Sequence, residues 1–474
     1  MLFNSLQFIL FLLIVFSLYW LLNRINFRLQ NLFVVAVSYI FYGWWDVRFL
    51  FLIFFTSVCS YSSGLLIVRS SRPRLIMWAN VLLNLAILAV FKYFDFFSRS
   101  FSSLFSISDP FLLNLVLPVG ISFYTFQALS YSIDVYRRKI EPTRDVVAFL
   151  AYVSFFPQLV AGPIERSTSL LPQFLQPRRF DEALASDGLR QMLWGYFKKV
   201  VVADSCAVYV DRIFLDSSAY NGATLLLAAV LFSIQIYGDF SGYSDIAVGC
   251  SKLFGIRLRR NFNVPYFSRD IAEFWRRWHI SLTSWFRDYL YIPLGGSRCS
   301  RIKVVRNTFI IFLVSGFWHG ANWTFLGWGM YHAVLFLPLI LLGRNRRYTD
   351  TVAATRMIPS FKELLQMIST FFLAAFGWVI FRSDTLSGAF GFLKGIFTQG
   401  LFQMPYITHP RDAFVIAVSL LLLLVVEWAN RSQPHPFALT IRSRFLRWLL
   451  YIFVLFLILT CAQTSEMPFI YFQF

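Results

Sequence analysis

Long apolar runs divide this sequence of 474 residues from one end to the other. A helix that spans a bilayer needs roughly 20 apolar residues, and several of the runs reach that length. The runs lie at residues 5–22, 31–45, 49–68, 75–97, 111–133, 145–162, 187–213, 223–237, 242–255, 307–318, 322–343, 361–382, 411–430 and 445–463. Since some are too short or too interrupted to cross alone, the pattern predicts about eleven transmembrane helices together with re-entrant and interfacial helices.

The composition supports an all-α integral membrane protein. Hydrophobic residues make up 58% of the chain and charged residues 14%, whereas about a quarter of a typical soluble protein is charged. A soluble chain of this length would need more polar surface to cover its core. The composition therefore excludes a secreted globular enzyme, a nucleic-acid-binding domain and a disordered chain, and it makes the lipid bilayer the expected surroundings.

The distribution of basic residues predicts the orientation of the chain. There are 43 lysines and arginines against 24 acidic residues, which gives a formal net charge of +19. The basic residues are grouped between apolar runs, at residues 24–28, 69–74, 137–139, 257–260, 344–347 and 442–447. Cytoplasmic loops carry such an excess of positive charge. Two apolar runs separate the first two clusters, so the N-terminus is expected outside the cytoplasm.

The central part of the chain, residues 114–335, differs from the flanks. Polar and small residues interrupt the apolar sequence there, as in IQIYGDFSGYSDIAVG. Polar backbone at membrane depth is tolerated only where it is buried in protein or lines a cavity, and ionisable residues at that depth are costly. We expect residues 114–335 to form the functional core of one polytopic domain that comprises residues 1–474.

The segment SGFWHGANW places His319 at the end of a strongly apolar run. Gly316 and Gly320 have the GxxxG spacing that lets two helices approach closely. His319 could accept and return a proton near neutral pH, or it could be a core histidine bonded to a backbone carbonyl. Trp318 and Asn322, which precede and follow His319, are candidates to line a cavity beside it.

The segment FWRRWHISLTSWFRDYLYIPLGG has the spacing of an amphipathic helix. Apolar residues recur every three or four positions from Phe274 to Tyr289, and the arginines lie largely on the other side. This pattern predicts a helix on the membrane surface. It leaves His279, in the middle of that helix, unexplained, and His279 is therefore the second histidine with a candidate functional role.

Two further segments carry polar residues into apolar surroundings. Asp239 and Asp245 could pair with central arginines or orient a histidine, and a structural ion pair is the favoured interpretation. Asp239 is also a candidate to line a cavity. Pro157 and Pro163 in FFPQLVAGPIER are too close together for one regular helix. That segment therefore predicts a broken or re-entrant stretch, in which Gln158 is a candidate to line a cavity.

Motifs for metals and bound cofactors are absent from the sequence. HExxH does not occur, and the histidines are scattered. GxSxG, Walker A and dinucleotide-binding motifs do not occur either. Neither a metal nor a bound cofactor is expected.

The sequence ends in MPFIYFQF, residues 467–474. A belt of aromatic residues at a membrane interface would explain this composition. Alternatively, the segment could thread into a cavity and carry Tyr471 to a functional site.

Taken together, these segments resemble the membrane-bound O-acyltransferases (MBOAT), in particular the bacterial branch with the membrane subunit of alginate O-acetylation. Six segments match that branch in order: SFYTFQALSYSIDVYRR, FFPQLVAGPIER, LWGYFKKVVVAD, GDFSGYSDIAVG, FWRRWHISLTSWFRDYLYIPLGG and SGFWHGANWTFLGWG. The likeness extends from MLFNSLQFILF to FIYFQF. It implies a helical bundle around a central funnel, with residues 114–335 as the catalytic core.

The resemblance also implies an activity and a site. His319 is the implied catalytic histidine, deep in a membrane-embedded funnel, and His279 is the second, less uniformly required one. The implied donor is a cytoplasmic acyl thioester, which is expected to be acetyl-CoA. The acetyl group would cross the bacterial cytoplasmic (inner) membrane to an extracytoplasmic polysaccharide, either an alginate-like exopolysaccharide or peptidoglycan. The implied partner is a separate extracytoplasmic acyltransferase of the SGNH type.

The tail at residues 467–474 resembles the C-terminus of the small companion protein in teichoic-acid D-alanylation. A tyrosine in that motif is proposed to carry the acyl group. By this likeness, Tyr471 is an acyl carrier built into the present chain.

Two alternatives stay open on the sequence alone. One is D-alanyl transfer to teichoic acids, although that system is expected to keep its tyrosine on a separate small protein. The other is a proton-coupled transporter or flippase with His319 and Asp239 as a proton relay. Such a transporter predicts inverted repeats, and the sequence shows no fixed-period repeat.

Cysteine labelling checks the predicted orientation. In a cysteine-free background, Arg72→Cys and Arg346→Cys are expected to react with a membrane-impermeant maleimide only after the cytoplasmic side is opened, because basic clusters face the cytoplasm. Asp46→Cys, between the second and third apolar runs, is the control that should react in intact cells. Labelling of Arg72→Cys in intact cells would reverse the orientation.

Overall fold

The protein is described by a computed structural model that covers residues 1–160, 162–407, 409–439, 441–462 and 469–470. All regular structure in these residues is helical, and they contain no strand. The expected all-α class is confirmed. Tyr471 and most of the predicted tail lie outside the described residues.

The helices follow one another along the whole chain. The first ten are α1 (Leu6–Asn23), α2 (Phe27–Gly43), α3 (Arg48–Arg69), α4 (Pro73–Leu88), α5 (Phe94–Leu104), α6 (Ile121–Tyr136), α7 (Val146–Ser154), α8 (Phe156–Leu159), α9 (Ser167–Phe174) and α10 (Glu182–Tyr196). The next ten are α11 (Asp204–Leu215), α12 (Gly222–Leu253), α13 (Ile271–Arg277), α14 (Ile280–Phe286), α15 (Arg301–His319), α16 (Trp323–Leu341), α17 (Phe361–Arg382), α18 (Leu386–Thr398), α19 (Pro410–Ala429) and α20 (Arg444–Cys461). Short π-helical segments occur at Ala89–Tyr93, Phe197–Ala203 and Arg287–Tyr291, and 3₁₀ turns at Ser217–Ala219 and Pro265–Phe267.

Eight helical segments among the described residues are long and apolar enough to cross a membrane. They are α1, α3, the continuous stretch Pro73–Leu104, α12, α16, α17, α19 and α20. The protein is therefore a multi-pass membrane protein. The apolar runs predict about eleven crossings, more than these eight segments. The numbers differ because some runs form shorter or more charged helices, such as α2 with 17 residues and α15, which begins RIKVVR.

Burial differs strongly among these helices. In α12, 78% of the apolar window is buried inside the protein, whereas in α20 only 6% is. Side chains such as Phe445 and Leu459 of α20 are 74% and 69% exposed. Faces of this kind require hydrocarbon around them, which is what a bilayer provides.

The chain forms two compact units. The first comprises Met1–Leu189 and Ala247–Arg259, and the second comprises Arg190–Ile246 and the described residues from Arg260 onward. The prediction of one polytopic domain stays a prediction. In the first unit, the buried guanidinium of Arg178 donates to the side-chain oxygens of Gln30 at 2.7 Å and Asn31 at 2.6 Å. These bonds satisfy a charge that would otherwise be costly to bury.

In the second unit, α15 and α16 pack backbone against backbone. A Cβ atom at Gly316 would collide with the carbonyl oxygen of Phe325, and one at Gly329 would collide with the carbonyl oxygen of Phe312. A Cβ atom at Gly320 would collide with the ring of Phe325. The close helix approach predicted from Gly316 and Gly320 is confirmed.

Two matched glycine variants test this contact. Glycine to alanine inside a helix normally stabilises by roughly 0.5–1 kcal/mol, and Gly391 of α18 has nothing within 4 Å of the added carbon. We expect Gly391→Ala to keep or raise the midpoint of thermal unfolding in detergent. Gly316→Ala should lower it, because overpacking costs about 1–3 kcal/mol. Equal midpoints for the two variants would contradict the tight contact.

Candidate functional site

His319 ends α15 inside an aromatic shell. Gly320 follows in extended backbone and stops the helix. The histidine is 5% exposed, and its ring centroid lies 4.9 Å from that of Trp318, 5.2 Å from Trp328 and 5.4 Å from Phe381. The packing of α15 on α16 therefore places an imidazole in a buried, largely apolar environment.

His279 lies at a break between two helices. α13 ends at Arg277 and α14 begins at Ile280, and between them His279 has a φ of 44°, in the left-handed region. The expectation of one continuous interfacial helix through His279 is wrong. The reason is a long-range hydrogen bond, because the N–H of Ile280 donates to the carbonyl oxygen of Asn261 at 2.8 Å. The break turns the His279 side chain inward, where it is 1% exposed.

The two histidines share one cavity. Their ring centroids are 6.5 Å apart, and both line a space of about 500 Å³ in the second unit. Aromatic and aliphatic side chains form most of the wall, and arginines contribute charge to it: Arg276, Arg287 and Arg346. Such a space can hold an apolar acyl chain or thioester together with an anionic group.

The surroundings of His279 favour its neutral form. Burial lowers the pKa of its imidazole to about 3, because the imidazolium ion is poorly solvated there. The ring makes an edge contact with Phe240, with 4.7 Å between centroids. A neutral imidazole has one nitrogen that can accept a proton. His279 thus has the protonation state that a general base needs at the start of a reaction.

Asp239 forms the predicted ion pair, but with a lysine rather than an arginine. Its Oδ1 atom lies 2.7 Å from Nζ of Lys199, which is also 2.8 Å from the carboxylate of Asp204. Its Oδ2 atom accepts the backbone N–H of Ile470 at 2.7 Å. Asp239 therefore neutralises a buried lysine and holds a residue near the chain's C-terminus.

Trp318 contacts both histidines. Its ring centroid is 4.9 Å from that of His319 and 5.9 Å from that of His279. Asn322, by contrast, caps α16: its side chain accepts the N–H of Thr324 at 3.2 Å and donates to the carbonyl oxygen of Asp384 at 3.1 Å. These contacts give Asn322 a helix-capping role.

Gln158 belongs to the first unit, on the four-residue helix α8. The broken segment predicted from Pro157 and Pro163 is observed there as a short helix between loops. Gln158 is fully buried. Neither of its amide atoms has a hydrogen-bond partner among the residues that the structure describes.

Several residues that contact His279 or Asp239, or that line the cavity, cannot be identified from local sequence patterns. Asn261 reaches His279 across 18 positions, and Lys199 reaches Asp239 across 40. The cavity arginines look like ordinary loop charges in the sequence. In the described part of the chain, no group of three or more His, Cys, Asp or Glu residues could hold a metal ion.

The fold and the site together define a class of protein. The residues that the structure describes form an all-helical, multi-pass membrane protein with two buried imidazoles on one cavity. Residues 137–376 match the sequence model of MBOAT, the membrane-bound O-acyltransferase family. The chain belongs to this family and is an acyltransferase.

Several named acetylation proteins are similar to this chain over most of its length. The protein named "Probable alginate O-acetylase AlgI" in Pseudomonas aeruginosa is 39% identical over 412 residues, which cover 85% of this chain and 76% of that protein. The protein of the same name in Pseudomonas putida is 36% identical over 502 aligned positions, which cover 100% of both. The peptidoglycan O-acetyltransferase of Helicobacter pylori is 36% identical over 396 residues, with 77% and 73% covered.

Replacement of His319 tests its chemical role. We expect His319→Ala to abolish acyl transfer, because a positioned base contributes about 10²–10⁴-fold. Transfer from a labelled acyl thioester, measured in membranes at equal amounts of folded protein, is the readout. A loss of about twofold would be too small for a base and would contradict the role.

His332→Ala is the matched control for this test. His332 is also fully buried on an apolar helix, and its ring lies 4.9 Å from that of Trp275 and 5.1 Å from that of Trp328. It is therefore a packed histidine, and it does not line the cavity. His332→Ala should lower acyl transfer only as far as it lowers the amount of folded protein.

Proposed function

We propose that this protein transfers acetyl groups from a cytoplasmic thioester across the membrane for O-acetylation of an extracytoplasmic polysaccharide. The observation that carries the proposal is the cavity shared by His279 and His319, in a chain whose relatives are named for alginate and peptidoglycan O-acetylation. The named polymers belong to those relatives. The acceptor proposed here is a polysaccharide hydroxyl of that general kind.

The proposed donor is acetyl-CoA. Its phosphates are anionic, and the cavity wall contains the guanidinium groups of Arg276, Arg287 and Arg346. Guanidinium groups bind phosphates through charge-assisted hydrogen bonds. Basic clusters also mark the cytoplasmic side of a membrane protein, where a thioester donor is available.

The tail supplies the proposed acyl carrier, Tyr471. The residues just before it are buried: Phe469 is 0% exposed and Ile470 is 3% exposed. Ile470 donates its N–H to Asp239, and the ring centroid of Phe469 lies 5.6 Å from that of Phe240, which itself contacts His279. These contacts support the hypothesis that the tail enters the protein near the histidines, although Tyr471 itself lies outside the described residues.

The proposed first step forms a phenyl ester. As the phenolic oxygen of Tyr471 attacks the thioester carbonyl carbon, His319 accepts the phenolic proton. The carbon–sulfur bond breaks, and the departing thiolate takes the proton from the imidazolium. A phenol with a pKa of about 10 is nearly as good a leaving group as a thiol with a pKa of about 8.5. The ester therefore retains much of the transfer potential of the thioester.

In the proposed second step, a hydroxyl group on the extracytoplasmic side attacks the phenyl ester. The acetyl group moves to that hydroxyl, and its proton returns to the phenolate of Tyr471. We propose that the acceptor is the serine of an SGNH-type acyltransferase, which passes the acetyl group to the polymer. The proposed location is the bacterial cytoplasmic (inner) membrane, with the N-terminus outside.

Labelled donors test the proposed function. Membrane vesicles that contain the wild-type protein, the polymer and the extracytoplasmic enzyme are supplied with acetyl-labelled CoA or with a D-alanyl thioester. We expect label from acetyl-CoA in alkali-labile esters of the polymer. Label from D-alanine alone would support teichoic-acid chemistry instead, and movement of unreacted substrate without ester formation would support a transporter.

Tyr471→Phe is the sharpest probe of the carrier, because it keeps the ring and removes only the hydroxyl group. We expect acetylation of the polymer to be lost, since no oxygen is left to hold the acetyl group. Mass spectrometry of the C-terminal peptide should show an acetyl adduct in the wild type and none in His319→Ala.

Tyr451→Phe on α20 is the matched control and should acetylate the polymer normally. An aromatic belt depends on ring burial, which the Tyr471→Phe change preserves. Normal acetylation in Tyr471→Phe would therefore assign the tail to an interfacial belt.

A further inference from the structure

The side chain of Asn261 connects His279 to two other buried elements. Its Oδ1 atom lies 3.0 Å from Nδ1 of His279, 3.3 Å from the backbone nitrogen of Ser281 and 2.9 Å from the hydroxyl oxygen of Ser281. Its Nδ2 atom donates to the hydroxyl of Ser244 on α12 at 3.1 Å. Asn261 is 2% exposed, so these bonds form away from water.

This arrangement fixes the tautomer of His279. The backbone N–H of Ser281 can only donate, so the amide atom that faces it must be the oxygen. That oxygen cannot donate, so Nδ1 of His279 must carry the hydrogen that bonds to it. The other ring nitrogen, Nε2, then keeps its lone pair.

Nε2 of His279 is set up to accept a proton. The atom is buried and has no hydrogen-bond partner among the described residues, while its ring lines the cavity shared with His319. Buried polar atoms are satisfied in most proteins, and an exception requires a reason. A substrate hydroxyl that donates to Nε2 would supply the missing bond.

The backbone at Asn261 reinforces this geometry. Its carbonyl oxygen accepts the N–H of Ile280 at 2.8 Å, which holds the chain in the break where His279 has its φ of 44°. Left-handed backbone at a residue other than glycine is costly and is concentrated at functional sites. One residue therefore fixes both the position of the imidazole and the location of its proton.

We infer that Asn261 is a positioning residue that holds His279 as the Nδ1–H tautomer, so that Nε2 acts as a proton acceptor in acyl transfer. The step concerned is the second transfer of the proposed function, on which this part of the inference rests. The proton moves from the attacking hydroxyl group to Nε2 while that oxygen bonds to the acetyl carbon of the ester. The imidazolium stays bonded to Asn261 through Nδ1–H. When the bond between the acetyl carbon and the departing oxygen breaks, Nε2 gives the proton to that oxygen.

A neutral amide orients the imidazole without placing a charge beside it. The charged or titratable groups that share the cavity wall with His279 are His319 on α15 and Arg276, Arg287, Tyr291 and Arg346. From α12, the apolar ring of Phe240 faces His279, and the hydroxyl of Ser244 is connected to it through Asn261. A carboxylate at position 261 would stabilise the imidazolium and raise the pKa of His279. An amide orients the ring without doing so.

A double-mutant cycle tests whether Asn261 acts through His279. We expect Asn261→Ala to lower the rate of acyl transfer by roughly tenfold or more in the wild-type background, because it removes the restraint on a base that contributes about 10²–10⁴-fold. In the His279→Ala background the same change should cost less than about twofold, since residues that act as a unit are not additive. Losses that multiply would overturn the inference.

The pH dependence of Asn261→Asp provides a readout that a purely structural role would not affect. The carboxylate still accepts Nδ1–H and keeps the tautomer, but it raises the pKa of His279. The acidic limb of the rate profile should therefore move to higher pH. A uniform loss at all pH values, with the limb unmoved, would mean that Asn261 only holds the backbone break at His279.

Ser281→Ala is the matched control, because it removes a hydroxyl from the same oxygen without touching His279. It should keep most of the activity. The wild-type protein separates this inference from the proposed function: if it transfers no acetyl group but does transfer another acyl group, only the proposed function fails. If it is active while the Asn261 variants behave as additive structural changes, only the role of Asn261 fails.

Discussion

Backbone contact between α15 and α16 determines where His319 lies. Helices in a bilayer gain little from burying apolar surface against one another, so their association depends on close packing. Gly316 and Gly329 provide that packing, because each glycine faces a carbonyl oxygen of the neighbouring helix. The same contact places Phe312 and Ser315 of α15 in the cavity wall. Loss of this fit would displace the imidazole and the cavity together.

The buried lysines of the second unit lie beside carboxylates. Lys198 and Lys199 are neighbours on the π-helical segment Phe197–Ala203, and they contact the carboxylates of Asp245 at 2.5 Å and Asp239 at 2.7 Å. A buried charge without a partner would cost roughly several kcal/mol. Asp239 pairs with Lys199 through one oxygen and binds the chain near its C-terminus through the other. Charge neutralisation and the anchoring of Ile470 therefore depend on the same carboxylate.

Much of this architecture can be predicted from the sequence, because lipid imposes strong local rules. Apolar runs identify the helices, and the spacing of Gly316 and Gly320 identifies the close contact beside His319. The break at His279 is different. The pattern from Phe274 to Tyr289 is helical, and the structure departs from it because Asn261, 18 positions away, bonds to Ile280 and Ser281. Local periodicity does not predict a hydrogen bond between residues so far apart in the sequence.

The ion pair of Asp239 shows the same contrast between local sequence, which predicts a partner, and long-range packing, which decides its identity. A buried carboxylate predicts a cation near it, and that expectation is correct. Whether the cation is an arginine or a lysine depends on which helix packs against α12, and the sequence pattern alone does not specify that packing. Lys199 comes from another helical segment, 40 positions earlier.

The left-handed backbone at His279 also has an energetic consequence. A conformation of this kind costs on the order of 1–3 kcal/mol in a residue other than glycine, and glycine would adopt it with little strain. Glycine would also leave a cavity where the imidazole is now buried, and an emptied core site is destabilising. Backbone strain and side-chain packing therefore oppose each other at this one residue, and neither can be relaxed without loss of the other.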